Sequence, residues 1–386
     1  MPQPRLYLDH NATAPLRPPA AAAMAAALLL PGNASSIHAE GRAARAVIED
    51  ARAQVAALVG ARAKNVVFTS GGTEAASLAL TPGLSRAGSP PPVRLLVGAS
   101  EHACVLQGHR FAAASFSRVP CGQDGVIDLA ALKAAMAQGG PAMLALQAAN
   151  NETGVLQPVA EAAGLVHAAG GVVVCDAVQL CGKMACDIAK LGVDALIVSA
   201  HKFGGPKGAG ALVLAADSLH LTAPLLRGGG QERGLRAGTE NIAAIAGFGA
   251  AAAEAARGLE GEAGRQTGLR GAIEGFIRAA APDAVFFSDT APRLPNTSAF
   301  AIPGFSAETL LIAFDLAGVA ASSGSACSSG KVTASQVLAA MGVAPDMARG
   351  ALRLSIGWST TTAEIEDFAR RFAAVIGRLR QARRAA

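Results

Sequence analysis

The stretch Asp194-Ala-Leu-Ile-Val-Ser-Ala-His-Lys-Phe-Gly-Gly-Pro-Lys-Gly-Ala-Gly210 decides the fold. Leu196 to Val198 is an apolar, strand-like run ending in Ser199, Ala200, His201 and Lys202; after a glycine-rich turn, Ala211 to Leu214 resume an apolar run. The pattern predicts a buried strand that delivers Lys202 to the rim of a sheet. A desolvated amine is more readily neutral, and a neutral amine is a nucleophile toward carbonyl compounds. The alternative is that Lys202 and Lys207 are ordinary solvated loop lysines. A phosphate-binding P-loop is disfavoured, because no Gly-Lys-Ser/Thr ending follows the glycines.

Outward from that stretch, strands and helices alternate. Val66-Val-Phe-Thr-Ser-Gly-Gly-Thr-Glu74 reads as a strand and a turn, with a helix following through Ala75 to Leu80. Backbone amides at such a helix start, with the Ser70 and Thr73 hydroxyls, suit an anion; a plain N-capped turn is the other reading. Arg94 to Ala99 is a strand delivering Ser100-Glu-His-Ala103, which makes His102 a candidate acid/base group or ring-stacking partner. Ala142 to Gln147 is a strand leading into the polar turn Asn150-Asn-Glu-Thr-Gly154, and Glu161 to Ala169 is a short helix. Gly171-Val-Val-Val-Cys-Asp176 is an apolar strand ending in a carboxylate, which is costly to bury unless something cationic meets it. Strands that end in polar residues and alternate with helices predict a parallel or mostly parallel sheet with ligands at its strand ends. Upstream, Ala39 to Val59 has helical apolar spacing, stopped by Gly60.

The 386 residues exceed one compact core and predict two domains, or a large domain with a smaller companion. Beyond Leu214 lie a glycine- and arginine-rich loop (227–239) and helices from Asn241 to about Gly258 and over Leu269 to Ala280. Short strands follow at Ala284 to Ser288 and Thr297 to Ile302. Then come a serine- and glycine-rich loop with Cys327 at its centre and an alternating strand, Ala351 to Gly357, that carries Arg353. This part reads as a smaller α+β domain. Apolar residues make up 51% and aromatics only 4%, which suits a helix-rich α/β protein rather than a β-sandwich.

A net charge of +5, with arginines clustered only at the tail (Arg378, Arg380, Arg383, Arg384), argues against direct nucleic-acid binding. The cysteines (104, 121, 175, 181, 186, 327) are too dispersed for a disulfide framework. Cys181 and Cys186 lack a second pair to complete a metal site, so no metal is expected, and a reducing cytoplasm is. No stretch is long enough to span a membrane, and Pro18 and Pro19 suit the first turn of a soluble helix rather than a signal peptide.

A strand-end lysine, an upstream strand-end aspartate, a glycine-turn anion site and a histidine ring are together the parts that pyridoxal 5′-phosphate chemistry needs. The sequence resembles the NifS/IscS-like cysteine desulfurases, within the class V group of pyridoxal-phosphate enzymes. The resemblance is carried by Tyr-Leu-Asp-His-Asn-Ala-Thr (7–13), Phe-Thr-Ser-Gly-Gly-Thr-Glu (68–74), Glu-His (101–102), Asn-Asn-Glu-Thr-Gly (150–154) and Asp-Ala-Val-Gln (176–179). Further matches are Ser-Ala-His-Lys (199–202), Gly-Pro-Lys-Gly (205–208), the 228–239 loop, Ser-Ser-Gly-Ser-Ala-Cys (322–327) and Arg-Leu-Ser (353–355). They span nearly the whole chain in the family's order.

The resemblance implies a fold-type-I α/β architecture. Residues 14–257 would form a large cofactor-binding domain around a mostly parallel seven-stranded sheet flanked by helices. Residues 1–13 and 258–386 would form a small α+β domain carrying the cysteine loop at about 321–334. It further implies that Lys202 holds the cofactor and shuttles the substrate α-proton, that Asp176 pairs with the pyridine nitrogen, and that His102 stacks on the ring. Asn151 and Gln179 would hydrogen-bond the ring oxygen, and Gly72, Thr73, Ser199 and His201 would bind the phosphate. Arg353, helped by Asn11 and Asn151, would grip the carboxylate of L-cysteine. Cys327 would attack the substrate sulfur, leaving a persulfide on the enzyme and alanine as product. In the family the residue matching Thr239 reaches the partner subunit's phosphate, so a homodimer with shared sites is expected, passing sulfur to an acceptor protein such as an iron–sulfur scaffold.

Some positions depart from the family pattern: Val178 where threonine is common, Ala75-Ala-Ser77 after Glu74, and Ser-Ser-Gly-Lys-Val-Thr-Ala-Ser335 after Cys327. Two readings compete. One is a class V aminotransferase or selenocysteine lyase, which would not need Cys327; the other is a non-catalytic scaffold that keeps the fold.

Overall fold

In the computed structural model, which describes residues 4–323 and 335–385, the Ala195–Ser199 strand lies inside a seven-stranded sheet. The strand order is Val66–Thr69, Gly210–Leu214, Ala195–Ser199, Val172–Asp176, Ala142–Gln147, Arg94–Gly98, Phe116–Val119. Adjacent strands are parallel except that Gly210–Leu214 runs antiparallel to both neighbours. The chain between Ser199 and Gly210 holds only a 3₁₀ turn at Ala200–Lys202 and loop, with no crossover helix. So short a connection brings the chain back beside itself in the opposite sense. Gly210 is needed there: a Cβ on it would lie 2.6 Å from the main-chain carbon of Gly71 and 2.8 Å from the Val198 oxygen.

The central strand is buried on both faces, which is why it reads as a continuous apolar run. Leu196 and Val198 enter a core with Ile48, Val55 and Phe248, from the helices Ala39–Leu58 and Ile242–Ala256. Ala195 and Ile197 enter a second core on the opposite face, with Ala75, Ala76 and Leu78 of the helix Gly72–Ala79.

A separate four-stranded antiparallel sheet follows, in the order Val285–Phe286, Thr297–Ala301, Leu352–Ser355, Ser322–Ser323. Its core is built from Phe300, Phe314, Phe368 and Phe372, supplied in part by the helices Ala307–Leu316 and Thr362–Ala385. The N-terminal strand Leu6–Tyr7 pairs in parallel with Val319–Ala320, and Leu6 and Leu8 pack into this same phenylalanine core.

Several elements differ from expectation, among them Ser322–Ser323, expected within a loop but paired as a strand with Arg353 and Leu352. The Phe116–Val119 strand was not anticipated, because it is a sheet edge whose Ser117 and Arg118 face solvent and break the apolar run. The helix expected from Leu269 begins at Leu259, its early turns disguised by Gly261, Gly264 and Gly268.

Candidate active site

The parallel strands all deliver their last residues to one end of the sheet, where such sheets hold ligands. Asp176 ends one strand, Gln147 the next, and Ser199 leads into the Lys202 turn; His102 follows Arg94–Gly98, and Gly72 and Thr73 open the helix after Val66–Thr69. Asn11 arrives on the N-terminal segment and Arg353 on the small sheet. Together these residues line a cavity of about 310 Å³ with Asn151, Gln179 and His201.

Lys202 Nζ donates to the main-chain oxygens of Asn11 (2.7 Å) and Ala12 (3.0 Å). The Asn11 oxygen also accepts from Gln179 Nε2 (3.0 Å), so lysine and glutamine meet at one acceptor. Asp176 is buried, and Oδ1 accepts the amide of Val178 at 2.9 Å. Burial pushes its carboxyl above the usual aspartate range, while the Val178 amide and the charges of His102 and Lys202 pull it back. His102 Nδ1 accepts the amide of Cys104 at 3.2 Å, which places the imidazole proton on Nε2, and the Cys104 thiol lies 3.0 Å from the same nitrogen.

Next to Gly72 and Thr73 a hollow is lined by Ser70, Gly71, Glu74, Ser199, His201, Lys207 and Gly208. The first-turn amides of the Gly72–Ala79 helix have no carbonyl partner within the helix, and its dipole favours an anion. Glu74 does not spoil this site: it is turned back onto the Ser70 amide and held by Arg236. His201 is pushed down to about 4 by burial and by Lys202, Lys207 and Lys183, so its ring is neutral at pH 7. Its Nδ1 lies 3.1 Å from the Thr13 hydroxyl.

Arg353 is 2% exposed. Its NH1 donates to the Asn151 oxygen (2.9 Å), its NH2 to Asp9 Oδ1 (2.7 Å), and its Nε has no hydrogen-bond partner among the described residues.

Behind this wall lie groups that sequence reasoning missed. Lys183 is fully buried and donates to Asn11 Oδ1 (2.8 Å) and Gln179 Oε1 (2.5 Å). Burial holds its ammonium well below the usual lysine range, and Lys202 and Arg353 repel it further. Glu101 Oε1 accepts the Gln147 amide (2.7 Å), and Oε2 has no hydrogen-bond partner among the described residues; burial raises its pKa well above the usual range. Glu152 is pushed up to about 7 by burial, against the pull of the Ser335 hydroxyl, Arg353 and His102. Cys104 and Gln147 line the cavity itself. Gln147 was readable as a strand end; nothing in the sequence marks Lys183 or Cys104.

Thr239 does not line this cavity. It faces a neighbouring hollow with Ser70, Gly208, Glu232 and Arg236. Cys327 and most of the expected cysteine loop lie outside the described residues.

The residues present fit pyridoxal phosphate. A buried carboxylate at the cavity wall suits a protonated pyridine nitrogen, and helix-start amides with no carbonyl partner within the helix suit the phosphate. A Cβ on Gly72 would sit 3.0 Å from the Val178 side chain and 3.5 Å from that of Ser199, so only glycine leaves the cradle open.

Residues 6–368 match the family described as Aminotransferase class-V. A cysteine desulfurase of Cereibacter sphaeroides is 41% identical over 382 residues, covering 97% of this chain and 97% of that protein. An IscS-like cysteine desulfurase of Mycobacterium tuberculosis is 37% identical over 389 residues and 98% of each chain. The solved NifS-like protein of Rickettsia africae has the same fold, with a TM-score of 0.86 at 31% identity over 96% of this chain and 99% of that one. The chain belongs to the class-V aminotransferase family and, within it, to the cysteine desulfurases.

Proposed function

We propose that this enzyme takes the sulfur of L-cysteine onto Cys327 as a persulfide and releases L-alanine, using pyridoxal phosphate held at Lys202. The observation that carries the reading is the convergence of Asp176, Lys202, the Gly72 helix start and Arg353 on one cavity. When bound, the cofactor supplies an electron sink for negative charge at the substrate α-carbon.

The chain's own residues do the rest. Asp176 holds the proton on the ring nitrogen, and His102 covers the ring face. Gln179 and Asn151 serve the ring oxygen, and Gly72, Thr73, Ser199 and His201 hold the phosphate. Lys202 tethers the cofactor and moves the α-proton through Nζ, which is already fixed by the Asn11 and Ala12 oxygens. Arg353 takes the substrate carboxylate with Asn11 and Asn151 beside it. Cys327, as thiolate, forms a bond to the substrate sulfur as the carbon–sulfur bond breaks, and the electron pair stays with the carbon skeleton.

The same reading takes residues 14–257 as the cofactor-binding unit and 1–13 with 258–386 as the second unit, supported by their separate cores. It takes the enzyme as a homodimer in which Thr239 serves the partner's phosphate site, supported by the exposure of Leu28, Leu29 and Ile37. The persulfide passes to an acceptor protein in the cytoplasm, an iron–sulfur scaffold in this reading.

Cys327→Ala is the test: it should abolish sulfide release from L-cysteine while the cofactor stays bound. An aminotransferase or a selenocysteine lyase would keep its activity.

A further inference from the structure

Among the described residues Arg353 is the only one lining the cavity with a guanidinium, and one of its donors is already taken by a carboxylate of the chain itself. Asp9 Oδ1 accepts from Arg353 NH2 at 2.7 Å in a pair with side chains 3% and 19% exposed. Asp9 is held in place by its own backbone. It bridges to Ser355 in parallel register, its oxygen accepts the Ala12 amide at 3.0 Å, and the Tyr7 hydroxyl donates to the same oxygen at 3.3 Å. The guanidinium has one more donor committed, to Asn151, and one buried donor, Nε, with no partner among the described residues. Arg353 is therefore hydrogen-bonded enough to stay in place, already neutralised, and still short of one acceptor.

A carboxylate ligand arriving here meets an ion pair, not a bare cation. It gains the hydrogen bonds that the guanidinium can still make, and it is repelled by Asp9. L-cysteine and L-alanine carry the same α-carboxylate, so a bare buried arginine would hold the product as firmly as the substrate.

We propose that Asp9 acts through Arg353 to loosen the grip on the α-carboxylate, setting the affinity for L-cysteine and speeding the departure of L-alanine. The inference rests on the reading above that Arg353 receives the carboxylate. It adds a positioning residue whose charge, more than its shape, is what matters. Glu152 is a further carboxyl that interacts with Arg353, and burial keeps it protonated up to about pH 7; Lys183 is a neighbouring amine that Arg353 repels.

The test compares holoenzymes of wild type, Asp9→Asn, Asp9→Ser, Asp9→Glu and Arg353→Met. Two quantities are read: steady-state kcat and KM for L-cysteine, and the dissociation constant of L-alanine from ligand-induced thermal shift. Both neutral variants should lower KM and the L-alanine dissociation constant about three- to tenfold without raising kcat, and Asp9→Glu should stay near wild type. A purely structural Asp9 would raise KM in the neutral variants and weaken L-alanine binding, which would overturn the proposal. If neither neutral variant folds, Asp9 is a structural staple and the proposal is equally overturned. If Arg353→Met binds L-alanine as tightly as wild type, the carboxylate site is elsewhere and the underlying reading fails instead.

Discussion

Two lysines share one hydrogen-bond network at the centre of this enzyme, and their surroundings separate their roles. Lys202 faces the cavity, whereas Lys183 lies behind it, wholly buried between Asn11 and Gln179. Because the folded-state pKa of Lys183 is depressed below the ordinary 10.5, the unfolded chain binds a proton in that window that the folded chain does not. Stability should therefore rise with pH up to about 10.5, and Lys183→Met should flatten that rise, as urea midpoints at two alkaline pH values would show. In the role proposed for Asp176, Asp176→Asn should keep the cofactor in place yet cut sulfide release at least about 100-fold, because the ring nitrogen would lose the group that holds its proton. Bound-cofactor absorbance and a sulfide assay check this, and a loss under about tenfold would contradict the role given to Asp176. Asp176 and Lys202 were legible because each ends an apolar run. Lys183 was not, since a lone lysine after Gly182 carries no sign of its burial.

At the scale of elements, the close packing of the sheet's end depends on the Gly71 turn lying against the start of the Gly210–Leu214 strand. Gly210→Ala puts a methyl group into fixed backbone on both sides and should cost about 1–3 kcal/mol of stability, measured by chemical denaturation. No measurable loss would mean that the turn has slack. The central strands were readable because both faces are buried, so Ala142–Gln147 and Val172–Asp176 stand out as apolar runs. The antiparallel sense of Gly210–Leu214 follows from connection length rather than from its residues. Phe116–Val119 stayed hidden because an edge strand needs only partial burial.

Over the whole molecule, the cavity is completed across two cores, since Asn11 and Arg353 come from segments packed with the small sheet. That pairing of the N-terminus with Val319–Ala320 joins residues hundreds of positions apart, and no local pattern could announce it. His10 sits at this join, pushed down to about 4 by burial and by the nearby Lys183 and Arg265, with Glu262 opposing. A depressed histidine destabilises the fold on acidification: between pH 6.5 and about 4 the unfolded chain takes up a proton that the folded chain refuses. That loss is on the order of 3 kcal/mol, and His10→Asn should remove it from the pH dependence of the urea midpoint. The same join makes the identity of the tethering lysine the most direct test of the account. Borohydride reduction of the purified enzyme, followed by peptide mass spectrometry, should place a pyridoxyl group on Lys202 and leave Lys183 unmodified. A label on Lys183, or on neither lysine, would contradict it.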